Sequence, residues 1–330
     1  MTSLPGHGPK PEPPPLGEVI RAKRELRRYL NETPLVSSRR LSRALGADVY
    51  VKLENLNPTF SFKVRGGIHF MRTMSERGLK GVVTASMGNH AQSIAYAGSI
   101  FGVPVKVVMP SWVSRVKVEA VEELGAEVIR YGSYYDEAAE YAEELARELG
   151  YFYVHAIEER LLHVGVATMH LEVLEQLPDV EVVVNPIGGG TGAIGAVSVY
   201  RSVDPSIEIY GVQAEGADAF YRSFKSGELV NLPGVSTKAE GLAVARTYKV
   251  PFEILGGALK DVVVVSDGEM EEAIRALYWS VRQVAELAGA AATAAAFKLR
   301  REISGRKVVL MLTGGNISPE EFSRVLSGGS

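Results

Sequence analysis

A lysine lies among small and apolar residues in the segment NPTFSFKVRGG, residues 57–67. Lys63 could attack a carbonyl carbon and form a Schiff base, provided that partial removal from water lowers its pKa and frees the amine. Most lysines instead keep the ammonium group in water at the protein surface. The segment alone therefore leaves two interpretations open, a nucleophilic lysine and an ordinary surface lysine.

A second segment, TASMGNHAQS at residues 84–93, runs from a strand end through a polar turn into a helix. The N–H groups at a helix start are free to bind an anion, so a substrate carboxylate would fit this turn. The alternative is an ordinary capping turn with Ser86 or Asn89 as the cap. Taken alone, the turn favours neither interpretation.

A third segment, NPIGGGTGAIGA at residues 185–196, is rich in glycine. Consecutive glycines allow backbone amides to close around a phosphate. Gly190, Gly192 and Gly195 also match the G-x-G-x-x-G pattern of dinucleotide sites, and Glu215 follows Gly195 by 20 residues. A nicotinamide-dependent oxidoreductase is thus a competing hypothesis. Against it, the pattern lies after several strand–helix units and leaves the other segments unexplained.

The fourth segment is LTGGN, residues 312–316. Thr313 could face the polar edge of a cofactor, or the segment could be a plain glycine turn. In open α/β sheets, ligands bind beyond the carboxyl ends of the strands. The loops that follow Ser86, Ile187 and Leu312 are therefore where we expect the chemistry.

The elements that must position these segments alternate between Val-rich strands and helices, which predicts an α/β fold with parallel sheets covered by helices. Strands are predicted at 47–54, 81–86, 104–110, 126–132, 151–156, 180–187, 207–214, 261–266 and 307–312. Helices are predicted at 89–101, 114–125, 135–150, 163–176, 268–286 and 289–303.

Composition narrows the possible functions. The 330 residues are 46% hydrophobic, which is enough for more than one domain, and a net charge of -3 predicts neither a nucleic-acid nor a membrane partner. The absence of cysteine excludes disulfides and thiol nucleophiles. The Pro-rich residues 1–18 carry no secretory signal and are expected to be disordered, so a cytoplasmic protein is predicted. Few Asn and Gln beside many charged residues hint at a thermophilic source.

Taken together, SFKVRGG, SMGNHAQ, GGGTG and TGGN resemble, in this order, the motifs of the fold-type II pyridoxal-phosphate enzymes. The resemblance is to the threonine/serine dehydratase branch, which is related to serine racemase and threonine synthase. It extends from TPLV (33–36) to TGGN and includes ELAGAAATAA (286–295). It implies two doubly wound α/β domains as in the tryptophan synthase β subunit, with the cofactor between them. Residues 78–157 would form a small domain inserted into a large one of residues 1–77 and 158–330.

The resemblance also implies roles for single residues. Lys63 would hold pyridoxal 5'-phosphate as a Schiff base and later remove the substrate's α-proton. Phe62 would pack near the cofactor ring, Asn89 would bind its hydroxyl and Thr313 would face the pyridine nitrogen. The phosphate would be held by Gly188, Gly189, Gly190, Thr191 and Gly192. The substrate carboxylate would be received by the turn of Ser86, Met87, Gly88, Asn89 and His90.

The implied reaction is dehydrative deamination of L-threonine or L-serine to a 2-keto acid and ammonia, which makes the protein a lyase. Met87 stands where serine racemase has a serine, and a thioether donates no proton, so racemisation by that route is not expected. Other β-eliminations or replacements stay open: hydroxyaspartate ammonia-lyase, phenylserine dehydratase and threonine synthase, as does a non-catalytic cofactor binder. Some relatives bind a cation near 211–220, but Gln213 and Ala219 stand at two ligand places, so no metal is predicted. A homo-oligomer is expected.

Overall fold

The computed structural model describes residues 10–328, and the parallel strands predicted from the sequence are present in it. Most begin or end one or two residues inside the predicted bounds. The strands are β1 (Leu35–Ser37), β2 (Asp48–Leu53), β3 (Val82–Ala85), β4 (Val105–Met109), β5 (Glu127–Arg130), β6 (Phe152–Tyr153), β7 (Val182–Pro186), β8 (Glu208–Ala214), β9 (Asp261–Val265) and β10 (Lys307–Leu312).

These strands form a six-stranded sheet, in the order β1-β2-β10-β7-β8-β9, and a four-stranded sheet, in the order β5-β4-β3-β6. Only β1 and β2 pair in antiparallel fashion among the described strands. Every residue of β7 is buried, as expected for a Val-rich parallel strand covered on both faces. The smaller sheet uses only strands between residues 82 and 153. The domain ranges 1–77 with 158–330, and 78–157, stay a prediction.

Helices cover both sheets. They are α1 (Leu16–Leu26), α2 (Arg39–Leu45), α3 (Lys63–Ser75), α4 (Asn89–Phe101), α5 (Arg115–Glu122), α6 (Tyr135–Leu149), α7 (Arg160–Gln176), α8 (Thr191–Val203), α9 (Ala219–Ser226), α10 (Lys249–Leu255), α11 (Asp267–Val281), α12 (Leu287–Lys298) and α13 (Pro319–Ser327). Three-residue 3-10 turns lie at Glu54–Leu56, Glu215–Ala217 and Glu240–Leu242.

The expected disorder over residues 1–18 is corrected at its C-terminal end, because α1 begins at Leu16. Residues 1–9 lie outside the described part of the chain. Val19, Ala22 and Leu26 recur at helical spacing and are buried, and α1 packs against α7. The Pro-rich run ends at Pro15, the N-cap of α1, a position where a proline does not interrupt the helix.

Three strand ends bring the predicted segments to the same region. β3 leads into the turn that starts at Ser86, β7 into the glycine-rich segment, and β10 into Thr313. Because neighbouring parallel strands place their carboxyl ends at one edge of a sheet, β7 and β10 present their loops side by side. The two sheets thus face one another through the loops in which chemistry was expected.

Candidate active site

Lys63 is the first residue of α3, and the turn before it is tied to the loop after β10. Ser61 pairs with Gly314 as an isolated antiparallel bridge. The N–H of Phe62 donates a hydrogen bond of 3.1 Å to the carbonyl of Thr313. The loop that carries the lysine and the TGGN loop therefore form one hydrogen-bonded unit, although they are far apart in the sequence.

The Lys63 side chain points toward the start of α8. Its Nζ donates a hydrogen bond of 3.0 Å to Oγ1 of Thr191 and lies 5.4 Å from the centre of the Phe62 ring. Burial lowers the pKa of Lys63 to about 8. A larger fraction of the amine is then neutral near physiological pH than for a solvated lysine, as a nucleophilic lysine requires.

The glycine-rich loop has the features of an anion site. No hydrogen bond from the N–H groups of Gly188, Gly189 or Gly190 to any described residue is present. Gly190 has φ +97° and is the N-cap of α8, whose first amides are also free to bind an anion. A Cβ at Gly188 would lie 2.2 Å from the Gly241 carbonyl oxygen, so only glycine fits there.

The turn after β3 is held by Ser86. Its Oγ accepts hydrogen bonds from the N–H groups of Gly88 and Ala91, at 3.4 and 3.3 Å. α4 begins at Asn89 with Gly88 at the N-cap, so neither candidate cap of the sequence prediction occupies that position. Met87 and Gly88 are half-buried, and Met87 packs against the core of the smaller sheet.

Asn89 is held from both sides. Its Oδ1 accepts a hydrogen bond of 2.7 Å from Nδ2 of Asn316, and its Nδ2 donates one of 2.8 Å to Oε1 of Glu286. Asn316 Nδ2 also donates to the carbonyl of Thr59 at 3.0 Å. These bonds join the turn after β3 to the loop after β10 and to the start of α12.

Glu286 and Asn316 are site residues that the sequence analysis did not single out. Burial raises the pKa of Glu286 to about 7, against the opposing effect of the hydrogen bond from Asn89. The sequence contained a signal, because a lone glutamate precedes the Ala-rich run of α12 within a segment that resembles the dehydratases. Asn316 was visible in the TGGN motif, yet only Thr313 was assigned a role there.

The His90 ring faces away from this group. Its Nε2 lies 3.0 Å from Oγ1 of Thr84, and that hydroxyl donates to the carbonyl of Val154 at 2.8 Å. His90 therefore donates from Nε2, and burial lowers its pKa to about 3. Within the turn, the ring packs the smaller sheet, so the group left for an anion is the backbone N–H.

Thr313 is buried, and its hydroxyl makes no hydrogen bond to the described residues. Its carbonyl accepts the Phe62 bond, so the side chain is the free part of the residue. The hydroxyl oxygen is not among the fully enclosed atoms that lack a partner, so it keeps some accessible surface that a bound molecule can reach. The position is therefore suited to a polar atom at the edge of a bound molecule.

The segment proposed for a cation in some relatives is engaged in other contacts. Gln213 is buried, accepts from the Tyr221 N–H at 2.7 Å and donates to the Ile187 carbonyl at 3.3 Å. Glu215 is exposed, whereas Asp218 is half-buried and pairs with Arg222 at 2.9 Å, rather than standing free in solvent. Across residues 10–328 no group of three or more acidic or His side chains could hold a metal ion.

Residues 26–314 match the sequence profile of the family described as pyridoxal-phosphate dependent enzyme. The chain belongs to this family. The match includes Lys63, the glycine-rich loop and Thr313, and it sets aside the nicotinamide hypothesis that the glycine spacing had left open. No helix in the described region is long and apolar enough to span a membrane.

Three known proteins show how far the similarity reaches. L-threonine ammonia-lyase of Thermotoga maritima is 38% identical over 316 residues, covering 95% of this chain and 78% of the relative. L-threo-3-hydroxyaspartate ammonia-lyase of Saccharomyces cerevisiae is 32% identical, covering 96% and 97%. The solved structure of the processed form of threonine deaminase isoform 2 from Solanum lycopersicum has a TM-score of 0.87 at 32% identity, covering 98% and 94%.

The site geometry fits pyridoxal phosphate. The cofactor carries a phosphate and an aldehyde, so it needs an anion site beside an amine. The free amides of Gly188–Gly190 supply the anion site. Lys63 Nζ supplies the amine, and it lies within hydrogen-bond distance of Thr191. The Gly241 backbone lies so close to Gly188 that a larger residue at this position would displace the loop.

Proposed function

We propose that the protein is a pyridoxal-phosphate-dependent ammonia-lyase that converts L-threonine, and also L-serine, to a 2-keto acid and ammonia. The observation that carries the proposal is the contact between the Lys63 amine and Thr191, the first residue after the glycine loop. The 38% identity to an L-threonine ammonia-lyase over most of the chain supports the choice of reaction.

The chain holds the cofactor at five points in this proposal. Lys63 binds the aldehyde carbon and the loop from Gly188 to Gly192 binds the phosphate. Thr313 accepts or donates a hydrogen bond at the pyridine nitrogen through its free hydroxyl, and Phe62 packs near the ring. Asn89 binds the ring hydroxyl, oriented by Asn316 and Glu286.

When bound, pyridoxal phosphate withdraws electrons from the α-carbon of an amino acid and makes its proton labile. Lys63 would hold the cofactor, and because the lowered pKa of its amine favours the neutral form, Nζ could accept that proton. The turn from Ser86 to His90 receives the substrate carboxylate through its backbone N–H groups, with Ser86 and Asn89 beside them. The β-hydroxyl would leave as water with the proton that Lys63 has taken up. Hydrolysis of the released enamine by another water would give the 2-keto acid and ammonia.

A second candidate substrate is L-threo-3-hydroxyaspartate, because the relative from Saccharomyces cerevisiae covers nearly the whole chain. Its extra carboxylate needs a cation or several hydrogen-bond donors near the β-carbon. The site residues located above offer Met87, an apolar side chain, in the carboxylate turn. The identity to an L-threonine ammonia-lyase is higher, at 38% against 32%, so we rank threonine and serine before the hydroxyaspartate.

We also propose that the protein works in the cytoplasm as a homo-oligomer, with a thermophilic source. The lack of cysteine suits a reducing compartment, and the low Asn and Gln content suits high temperature. Size-exclusion chromatography with light scattering tests the oligomer.

The test of the function is keto-acid release by purified holoenzyme from four substrates supplied separately. These are L-threonine, L-serine, L-threo-3-hydroxyaspartate and L-threo-phenylserine. We expect 2-ketobutyrate from threonine and pyruvate from serine, at higher kcat/KM than for the other two. Turnover confined to hydroxyaspartate or phenylserine would replace the proposed substrate. O-phosphohomoserine is supplied as a fifth compound, and phosphate release from it without keto acid from the other four would indicate a threonine synthase. No turnover of any compound despite bound cofactor would indicate a non-catalytic binder.

A further inference from the structure

Four fully buried charged side chains lie against the turn that carries Lys63. Arg65 binds Glu54 through Nε and Nη2, at 2.7 and 2.9 Å, and Glu172 through Nη1 and Nη2, at 2.6 and 2.8 Å. Lys52 Nζ donates to Glu172 at 2.7 Å. We call Lys52, Glu54, Arg65 and Glu172 the Arg65 network; all are at most 3% exposed.

Neutral groups satisfy the remaining hydrogen bonds of the Arg65 network. Lys52 Nζ also donates to the Thr33 carbonyl at 2.7 Å and to Gln176 at 3.1 Å. Asn57 Nδ2 donates to Glu54 at 2.9 Å, and the Thr33 hydroxyl donates to Glu54 at 2.6 Å. Buried charges are tolerated when each of them has its hydrogen-bond and ion-pair partners. Removal of one partner leaves the other charges buried without compensation, which is strongly destabilising.

The network holds two cations and two carboxylates, so its total charge is zero. Burial would raise the pKa of Glu54, but Arg65 and Lys52 outweigh it and hold that pKa at about 2. Burial opposes the charge on Arg65, but Glu54 and Glu172 raise its pKa above the usual value. The pKa of Lys63 is lowered by burial, with no contribution from the four charges of the network.

The Arg65 network holds the first turn of α3 through Arg65, which belongs to that turn. Arg65 lies two residues after Lys63, and its N–H donates to the Phe62 carbonyl at 3.2 Å. Its side chain reaches the 3-10 turn after β2 through Glu54 and α7 through Glu172. On the other side, Ser93 Oγ of α4 donates to the Lys63 carbonyl at 2.7 Å. The backbone at Lys63 is thus fixed from three directions.

We propose that Arg65 is a positioning residue for Lys63, which fixes the first turn of α3 so that the amine stays beside Thr191. The inference rests on the proposed function, in which Lys63 is both anchor and base. The network's neutrality has a second effect. If one charge is lost, the remaining field acts on Lys63 through a low-dielectric interior, where charges interact more strongly than in water. A net negative network favours protonation of the Lys63 nitrogen, and a net positive one disfavours it.

The experiment measures holoenzyme variants by pH titration of the cofactor's visible absorption, which reports protonation of the nitrogen that joins Lys63 to the cofactor. Arg65→Gln leaves the network with a net charge of -1 and should raise the pH midpoint of the titration. Glu172→Gln leaves a net charge of +1 and should lower that midpoint. Arg65→Lys keeps the charge but loses the two-pronged geometry, so its midpoint should stay while kcat falls at least tenfold with little change in KM.

Arg72→Gln is the matched control, because Arg72 is an ion-paired arginine on the same helix, bound to Glu25 at 2.7 Å and Glu76 at 3.1 Å. It should change neither the midpoint nor kcat. Each variant's gain in Tm on adding pyridoxal phosphate provides a further measure, and it should shrink for Arg65→Lys but not for Arg72→Gln. If Arg65→Gln does not fold, the results for Arg65→Lys and Glu172→Gln test the proposal.

Opposite midpoint shifts with a slow Arg65→Lys enzyme would support the inference. Equal shifts in Arg65→Gln and Glu172→Gln, or full kcat in Arg65→Lys, would overturn it. The titration needs no substrate, so its outcome is separate from the choice of reaction. A holoenzyme that shows these shifts but releases no keto acid would contradict the proposed function, and the smaller gain in Tm of Arg65→Lys would then test the positioning role in place of kcat.

Discussion

The Lys63 amine lies 3.0 Å from the Thr191 hydroxyl, so the nucleophile of the site touches the first residue of α8 across 128 residues of sequence. The two ends of a bound cofactor are thereby set at a fixed separation by the protein itself. A rigid amine and a rigid phosphate loop reduce the ordering cost of binding. The contact joins the lysine that would bind the aldehyde to the helix start that would bind the phosphate.

Replacing Thr191 with Val should weaken cofactor binding by about tenfold, since a hydrogen bond from the Thr191 hydroxyl to the charged phosphate is worth about 1.5 kcal/mol or more. Val keeps the shape but offers no hydroxyl to the phosphate. Equilibrium dialysis of pyridoxal phosphate measures the effect. Thr191→Ser keeps the hydroxyl and should bind nearly as the wild type does, and equal losses in both variants would count against the contact.

Replacing Gly188 with Ala should lower cofactor affinity by at least tenfold, because the new Cβ would lie 2.2 Å from the Gly241 carbonyl oxygen. The backbone of the loop must then shift away from the phosphate. Gly257→Ala is the control, since a Cβ there meets no atom within 4 Å. Fluorescence titration with the cofactor compares the two, and an unaffected Gly188→Ala protein would show that the loop does not bind phosphate.

The stability of the cofactor-free protein should depend on Glu286. Its pKa is raised from 4.5 to about 7, so the folded state holds a proton that the unfolded state releases. Stability from this group is therefore present below pH 4.5 and is lost as pH rises through 7, by about 3 kcal/mol at ~1.4 kcal/mol per pKa unit.

Urea unfolding of the wild type and Glu286→Gln at pH 5 and pH 8 measures this loss. The wild type should lose more stability than the variant over that interval, because Gln cannot ionise. An identical change in both proteins would mean that Glu286 titrates like a solvated carboxyl.

Much of the fold follows from local sequence pattern. The Val-rich runs at Val182–Pro186 and Asp261–Val265 are short, apolar and followed by turn residues, so their strand character is evident without tertiary information. The helix at Asn89–Phe101 was predicted with its observed bounds. In contrast, α11 ends at Val281, before its predicted end at 286, because Arg282 takes a left-handed conformation with φ +56° that no periodicity reveals.

Site residues that belong to a sequence motif could be predicted. Residues whose role depends on contacts with residues far away in the sequence could not. The glycine loop stands out by composition, whereas Lys63 was singled out only by the four motifs taken together. Glu54 and Glu172 look like surface carboxylates, and only their pairing with Arg65 explains why they are buried. The turn that contains His90 is predicted to receive the substrate carboxylate, but the bond between its imidazole and Thr84 could not be predicted, because Thr84 is a strand residue with no distinctive pattern.

The most direct test of the central claim is to reduce the holoenzyme with borohydride, digest it and locate the cofactor by mass spectrometry, with L-threonine turnover measured on the same preparation. We expect the added mass on the peptide that contains Lys63, and release of 2-ketobutyrate. Both should be lost in Lys63→Ala, while Lys80→Ala, a change of a lysine outside the site, should retain both. Cofactor on another lysine, or undiminished turnover in Lys63→Ala, would contradict the assignment of Lys63 as the lysine that holds pyridoxal phosphate.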